Sequence, residues 1–429
     1  MNFSRSQVGL IIFFAAALGN PMTTLANESV LLSKQEQLSG LEQALRSSLQ
    51  FNPAINGQLS QMTAQESAID AAKASRYPTF GFNIDTMTEG ATNGIVSLEQ
   101  PLWTFGKTDA AIGFASAKYQ VETKGLLQVK RELIQSTATA YTKIQSVKLK
   151  ISVAVENVAE HSRLFERIQR RQTGQLASMA DVRLANSRLL QAQSELLKYE
   201  GELKARINEL YAITRSKVST DTEINPSYMA LPDEQNIHSR AVNASSEIAY
   251  AKEEVNLAKA ELEQTKANPF PTLSARFEQS VFDAADTPNQ DETRFGVVLN
   301  GQISGLGVSA YNQINESAER ITAAQYELDS VRNEVERETK NLIVNRDLQE
   351  SLRTSQQETL AALEDTMASF LRQYETNRKS WVEVLNQQRE LAQMRYTVIA
   401  TDQTWKELSL QIASKIGKLD AAAGMGKSL

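Results

Sequence analysis

The residues that most often do chemistry in proteins are scarce in this chain. It has no cysteine and only two histidines, His161 and His238. Without cysteine it can form no disulfide, thiolate metal site, cysteine nucleophile or acylated N-terminal cysteine. A lone histidine in a polar, helix-like stretch is expected at the surface, because metal binding and base catalysis need convergent partners. With no glycine-rich phosphate loop either, we expect no catalytic residue, no metal site and no cofactor, and an enzyme is the weakest hypothesis.

Composition favours long helices over compact globular domains. The chain has 429 residues, of which only 7% are aromatic, and glycine and proline are infrequent at 19 and 9 residues. Such a mix is typical of extended helical proteins. The net charge of −6 is spread along the sequence. No basic face stands out, so nucleic acid is not an expected partner.

Residues 1–26 are predicted to be a signal peptide. Arg5 supplies the positive charge, Val8–Leu18 the apolar core, and Thr24-Leu25-Ala26 a small-residue cleavage site. The alternative, an N-terminal anchor, fits less well because the apolar run is too short to span a bilayer as a helix. No other stretch approaches the apolar length of a membrane helix, so any membrane span of this exported protein must consist of strands.

Two stretches are predicted to form β-hairpins, at residues 77–103 and 270–303. In the first, Phe80, Phe82 and Ile84 alternate with polar residues, and the return strand runs to Trp103. The second alternates in the same way, and its return strand is predicted to run to Ile303. Each strand has one apolar and one polar face, as the wall of a membrane β-barrel requires.

Very long helices follow both hairpins. Thr108–Arg171 and a segment from about Ser309 to Tyr374 contain no proline, and each would be roughly 100 Å long as a helix. Glu234–Ala267 is predicted as one further helix. The first long helix shows a heptad-like apolar stripe, which indicates side-by-side helix packing. Its members are Leu127, Ile134, Tyr141, Ile144, Ile151, Val155, Val158 and Phe165.

The order helix, hairpin, long helix, turn, helix occurs twice, with matching residues about 200 positions apart. We therefore predict a first structural repeat at 27–215, a linker at 216–233, a second repeat at 234–420 and a flexible tail at 421–429.

Four strands cannot close a barrel, and an open sheet edge cannot lie in lipid. Three chains would supply twelve strands, and their long helices could pack side by side into a tube. The alternative is an exported structural coiled-coil protein of the cell envelope, without a pore, in which the hairpins are mere loops.

Three segments resemble the TolC family of outer membrane efflux proteins. They are YPTFGF at Tyr77, the return strand Val96–Ile112 and the helical turn Arg170–Gln193. The resemblance implies a mainly α-helical chain with a membrane β-barrel part, forming a homotrimeric α/β barrel with an internal two-fold repeat. It implies a location in the Gram-negative outer membrane, in contact with its lipid and extending into the periplasm. It also assigns the linker at 216–233 to an equatorial region.

The function that this resemblance implies is a passive exit duct of a tripartite export system. Its partners would be a periplasmic adaptor and an inner-membrane ABC transporter or other pump. Type I protein secretion, of an adhesin for example, is the leading hypothesis, and small-molecule efflux is the alternative.

The resemblance also implies two groups of functional residues at the ends of the long helices that lie far from the strands. In addition, prolines are expected at the opposite ends, where strands and helices meet. The adaptor-docking tips are Gly174, Gln175, Leu176, Asn377 and Arg378. The periplasmic gate is Tyr374, Lys379, Glu383, Asp181 and Asn386, where Glu383 is expected to form one three-fold ring of carboxylates and Asp181 to be its partner from the first tip. Asn386 occupies the place of a second acidic residue, and Asn377 a place where the family usually has glycine. The barrel–helix junctions are Pro78, Pro101 and Pro271.

Overall fold

The computed structural model of the chain describes residues 40–85, 93–282, 293–376 and 378–426. The predicted signal peptide, Asn377 and the loops at 86–92 and 283–292 lie outside the described residues. Contacts group Ser39–Leu429 into one compact unit. Within the described ranges, no helix combines the length and the apolar character needed to cross a membrane.

Helices and strands follow one another in the same order in the two halves of the chain. The first half has α1 (Gly40–Phe51), α2 (Pro53–Ala74), β1 (Thr79–Asp85), β2 (Asn93–Trp103), α3 (Lys107–Thr173) and α4 (Met179–Thr214). The second half has α5 (Glu234–Ala244), α6 (Ser246–Ala267), β3 (Thr272–Phe282), β4 (Thr293–Asn300), α7 (Val308–Glu375) and α8 (Trp381–Lys415). Short 3₁₀ turns lie at Pro226–Tyr228 and Ser304–Gly307.

The predicted long helices are confirmed. Helix α3 has 67 residues and α7 has 68, so each is about 100 Å long. Both begin after a left-handed glycine, Gly106 or Gly307, which turns the chain out of the sheet. Helices α2 and α6 pack on the halves of α3 and α7 that lie next to the sheet. Helices α4 and α8 pack on the other halves, which lie away from the sheet.

The buried face of α3 follows the predicted stripe only through its first part. Ile134, Tyr141 and Ile144 are fully buried, but Val155 is exposed. Beyond Ile151 the buried positions move to Ala154, Asn157, His161, Leu164 and Ile168. The buried face shifts because α4 and α8 replace α2 and α6 as neighbours of α3. The expectation that His161 lies at the surface is therefore wrong, since its side chain is only 4% exposed.

The predicted helix Glu234–Ala267 is broken at Ser245. This residue has non-helical backbone angles, and its hydroxyl accepts a hydrogen bond from the Ile248 amide at 3.1 Å, as an N-cap does. The Ala244 carbonyl that the break frees accepts a hydrogen bond from Arg131 on α3. A serine can end one helix and cap the next, and helical periodicity does not detect this.

The four strands form one antiparallel sheet in the order β1-β2-β3-β4. Its pairing aligns Phe80, Leu98, Phe277 and Phe295 in a row across all four strands, and all four are exposed. The opposite face carries an ion pair between Glu99 and Arg276 at 2.7 Å. The predicted separation of apolar and polar faces is therefore confirmed. A β-bulge between Pro101 and Trp103 interrupts the pairing of β2 with β3.

Strand β4 ends at Asn300 and not at Ile303 as predicted. Its partner β3 begins at Thr272, directly opposite Asn300, so residues 301–303 have no pairing partner within β3. An alternating pattern shows the tendency to form a strand, whereas the end of a strand depends on where its neighbour ends.

A packed core surrounds the middle of the long helices. It joins Leu41 and Leu45 of α1 to Ile134 and Tyr141 of α3 and to Leu410 of α8. The predicted linker contributes to it, because Ile224 and Met229 are buried and the Tyr141 hydroxyl donates to the Thr222 carbonyl at 2.7 Å.

Residues 419–425 pack on the same core. Ala422 and Ala423 are buried, so packing continues past residue 421, where the flexible tail was predicted to begin. Asp420 forms a buried ion pair with Arg131 of α3, with 3.0 Å between Oδ2 and Nη2.

Candidate functional site at the helix tips

Helices α3 and α4 meet in a tight turn at Gly174–Ser178. The Gly174 amide donates to the Arg170 carbonyl, and the Leu176 amide donates to the Arg171 carbonyl at 2.8 Å. The left-handed residue is Gln175, with φ of 61°, whereas Gly174 has φ of −81°. A Cβ at Gly174 would make only ordinary contacts, so this conformation does not require glycine there.

The turn between α7 and α8 repeats this geometry. The Arg378 amide donates to the Gln373 carbonyl at 2.8 Å, as the Leu176 amide does to that of Arg171. The backbone angles of Thr376 match those of Gly174. Residues 202 positions apart therefore correspond in the two turns, which places Thr376 and not Asn377 opposite Gly174. Gln175, Leu176 and Arg378 are exposed at the two tips.

The acidic residues of both tips cap the helices that follow. Asp181 accepts hydrogen bonds from the Ser178 amide at 2.9 Å and hydroxyl at 2.8 Å, and its own amide donates back to Ser178. Glu383 does the same with Ser380, at 2.8 Å for both bonds. These are capping boxes, which satisfy helix amides that otherwise have no partner. The pattern Ser-x-x-Asp or Ser-x-x-Glu could have revealed this role from the sequence.

Lys379 adds a charge interaction to the second capping box. Its Nζ lies 2.7 Å from Glu383 Oε1, while Oε2 takes the Ser380 bonds. The hydrogen bond from Lys379, together with those from Ser380, lowers the pKa of Glu383 to about 2. The carboxylate is therefore ionised at neutral pH, and both of its oxygens have partners within the chain.

Tyr374 lies in an apolar cluster that joins the two tips. It is 5% exposed, and its ring centroid lies 5.7 Å from that of Trp381 on α8. The Arg171 guanidinium, from the end of α3, lies 5.1 Å from the Tyr374 ring centroid. Arg167 and Glu375 form a further link between α3 and α7 at 3.6 Å. The sequence reasoning did not identify Trp381 or Arg171 as partners of Tyr374.

The predicted gate residues are thus only partly brought together. Lys379 and Glu383 are in contact, and Tyr374 packs on Trp381, which lies between them in the sequence. Among the described residues, no hydrogen bond or ion pair joins Asp181 to the second tip. Asn386 is exposed on α8, one turn beyond the capping box.

The three junction prolines occupy different positions. Pro78 and Pro271 directly precede β1 and β3, where a proline helps to end the preceding helix. Pro101 lies inside β2, next to the β-bulge, and the strand continues to Trp103. The Trp103 ring stacks on Phe105 with 4.6 Å between centroids, just before α3 begins. The strand-to-helix transition after β2 therefore lies at 103–106 and not at Pro101.

Comparisons with known proteins agree with this architecture. The family model described as "Outer membrane efflux protein" matches residues 44–214. The comparison with curated protein sequences gave no match.

Among solved structures, the outer membrane protein VceC of Vibrio cholerae is 14% identical, with a TM-score of 0.72. The alignment covers 89% of this chain and 97% of VceC. The outer membrane channel MtrE of Neisseria gonorrhoeae, in its open state, is 13% identical, with a TM-score of 0.73 and coverage of 88% and 89%. A membrane protein of Pseudomonas aeruginosa is 15% identical, with a TM-score of 0.72 and coverage of 88% and 93%.

At these identities the structural likeness establishes the fold alone, while the family match covers both strands of the first hairpin, α3 and α4. The overall arrangement of helices and strands is like that of those channels. Residues 44–214 of the chain match the outer membrane efflux protein family, and the chain shares the fold of outer membrane channels.

Proposed function

We propose that three copies of this chain form an outer membrane exit duct that receives cargo from an adaptor and a pump. The observation that carries this proposal is that the protomer has two edges without a neighbour, one formed by the first half of the chain and one by the second. In the sheet, β1 pairs only with β2, and β4 only with β3, among the described strands. The outer sides of β1 and β4 thus carry main-chain groups that a neighbour must satisfy inside a membrane.

The helices that lie away from the sheet also leave two edges of the protomer without a neighbour. Helix α4 packs on α3 and α1, while α7 packs on α8 and α6, which sets α4 and α7 at opposite sides of the layer. Both expose apolar side chains on the sides that these neighbours leave open. They are Leu190, Leu197, Ile207 and Tyr211 on α4, and Val344, Leu348 and Leu352 on α7.

In the sheet and among the helices alike, one edge comes from the first half of the chain and the other from the second half. Pairing of β4 with the next copy's β1, and of α7 with the next copy's α4, is a head-to-tail contact. Contacts of this kind generate a ring when the rotation closes. Three copies supply twelve strands, the number that the resemblance to the TolC family implies.

We place adaptor docking at the exposed tip residues Gln175, Leu176 and Arg378, and the entrance gate beside them at Glu383. The Lys379 contact keeps Glu383 ionised, which supports a ring of three carboxylates in the trimer. The two capping boxes would hold both tips in the shape that an adaptor recognises.

For the cargo, we propose protein secreted by a type I system with an ABC transporter. The support comes from the resemblance of the first hairpin and its exit, QPLWTFGK, and from the absence of a cysteine that could be lipidated. Small-molecule efflux is the second candidate function, because the family model bears the name of efflux proteins.

The test has two arms. Purified outer membranes should yield a detergent-stable trimer that conducts ions in planar bilayers, whereas a soluble monomer or dimer without conductance would contradict the duct.

Deleting the gene should then remove specific proteins from the culture medium and leave drug susceptibility unchanged. Increased drug susceptibility with an unchanged set of secreted proteins would favour the efflux alternative.

A further inference from the structure

A polar cavity lies between three helices, away from the tips and the sheet. It has a volume of about 300 Å³ and is bounded by α3, α4 and α8. His161 of α3 lines it, together with Arg188 and Glu195 of α4 and Arg389 and Tyr396 of α8. We call this space the His161 cavity. None of these five residues belongs to the predicted gate or docking tips.

Two polar atoms that line the cavity are buried without a hydrogen-bond partner among the described residues. They are Nδ1 of His161 and Nε of Arg188. The buried Tyr396 hydroxyl lies beside the Glu195 carboxylate. The His161 and Tyr396 side chains are only 4% and 6% exposed. A buried polar group without a partner is costly, and such groups usually contact a ligand, an ion or water.

Other polar groups nearby already have partners. Arg188 Nη1 donates to Gln191 Oε1 at 2.9 Å, and Asn157 Oδ1 accepts from Gln388 at 3.3 Å. These bonds hold the side chains at the wall of the cavity and leave Arg188 Nε available. The tilted packing of Tyr396 on Tyr199, with 5.2 Å between ring centroids, likewise fixes the position of the Tyr396 ring.

The available atoms are suited to an anion. An arginine Nε–H can only donate, so it can bind an anion directly. Burial raises the pKa of Tyr396, and the charge of Glu195 and a hydrogen bond to its carboxylate raise it further, so the hydroxyl keeps its proton for Glu195. Two guanidinium groups, from Arg188 and Arg389, face one carboxylate, from Glu195, which leaves one positive charge to be balanced. Water would provide hydrogen bonds but no balancing charge.

We propose that the His161 cavity binds a small oxyanion of the phosphate or sulfate type, with Arg188 and His161 as its direct ligands. Arg389 contributes charge from the α8 side. Since these residues come from three helices, a bound oxyanion links α3, α4 and α8 in the remote part of the helical layer. This site adds a ligand to the protein that the duct function does not require.

Protonation of His161 should be coupled to the anion. Burial, followed by the charge of Arg188, lowers the pKa of His161, so the ring is neutral at neutral pH. The charged groups that face it are Arg188 and Glu195 from α4 and Arg389 from α8, and Tyr396 faces it as a neutral phenol. A bound anion offsets the arginine charge and favours the protonated ring. Binding should therefore strengthen as the pH falls below neutrality.

The experiment is calorimetric titration of the detergent-purified full-length protein with inorganic phosphate and with sulfate, at constant ionic strength set with chloride. We expect saturable binding that Arg188→Gln weakens by about tenfold or more, because it removes a charge-assisted hydrogen bond. The matched control is Arg183→Gln, which removes an exposed arginine from the same helix and should leave binding unchanged.

Imidazole NMR resonances provide an independent reading, because the chain has only two histidines. Phosphate should shift the His161 signals and raise the pKa of His161, while the His238 signals stay in place. If Arg188→Gln fails to fold, Arg389→Gln replaces it, since Arg389 is exposed on α8. Absence of saturable binding by the folded protein, or equal binding by the Arg188 and Arg183 variants, would overturn the proposal.

Discussion

Lys379 Nζ lies 2.7 Å from Glu383 Oε1, and the other oxygen of the same carboxylate accepts two hydrogen bonds from Ser380. One side chain at the second tip therefore combines a helix cap with an ion pair. The proposed gate needs the charge of Glu383, whereas the capping box needs only a hydrogen-bond acceptor at this position. These two requirements can be separated by mutation.

Glu383→Gln should remove the charge and keep the cap, because glutamine also serves in capping boxes. We expect higher basal conductance of the reconstituted trimer, or weaker block by divalent cations, with no measurable change in its thermal stability. Glu383→Ala should change conductance or block in the same direction and also lower stability, since the cap is lost. Asp181→Asn, the matched change in the first tip, tests whether Asp181 shares the gate. Unchanged conductance and block in Glu383→Gln would remove Glu383 from the gate.

The pH dependence of the block follows from the low pKa of Glu383. The folded value of about 2 lies below the ordinary value of 4.5, so the charge is kept as the pH falls and is lost only near pH 2. Divalent block should stay constant from about pH 7 to about pH 4. Lys379→Met removes the largest cause of the shift, so the pKa of Glu383 should rise and block should weaken towards pH 4. Single-channel recordings, normalised to neutral pH, provide the comparison. Identical pH profiles for both proteins would contradict this explanation.

The buried pair of Arg131 and Asp420 should contribute strongly to stability. Its side chains are 9% and 8% exposed, and Arg131 also donates to the carbonyl of Ala244, the last residue of α5. Asp420→Ala leaves a buried charge without its partner, which should destabilise the protein by about 3–5 kcal/mol. The double variant Arg131→Met, Asp420→Leu should lose less, because it leaves no such charge. Denaturation midpoints in detergent would test this, and equal loss in both variants would show that the pair itself is not responsible.

Period-two and heptad patterns predicted the strands and helices of this fold closely. They did so because each strand or helix has one apolar face, which is the face that it buries. They failed where burial depends on which neighbour an element meets. Val155 continues the stripe of α3 in sequence, but α4 and α8 cover the face of Ala154 and His161. The end of β4 likewise depends on where β3 begins.

The tip residues show the same limit. Family resemblance located Tyr374, Lys379 and Glu383 in one small region, yet it could not show that Tyr374 is buried against Trp381. Side-chain contacts between α3, α7 and α8 join residues about 200 positions apart, and no local pattern encodes them. The capping boxes, in contrast, involve residues three positions apart, so the sequence alone could have predicted them.

The open edges of the protomer lead to a prediction about its neighbour. Helix α4 runs away from the first tip, and α7 runs towards the second, so the two helices are antiparallel when α7 of one copy packs on α4 of the next. Counted from the tips, Ile207 and Tyr211 lie at about the level of Leu348, and all three are exposed within the protomer. Exposed apolar stripes at the same level are expected to cover each other.

Because the chain contains no cysteine, crosslinks between two engineered cysteines cannot be confused with crosslinks through native ones. Ile207→Cys combined with Leu348→Cys should give covalent dimers and trimers with a short bismaleimide in intact cells. Either single variant should remain monomeric on denaturing gels. Ile207→Cys with Tyr311→Cys is the matched control, since Tyr311 is exposed near the sheet end of α7, far from that level. Crosslinking by the control pair, or none by the first pair in trimers that still conduct ions, would exclude this seam without excluding the duct.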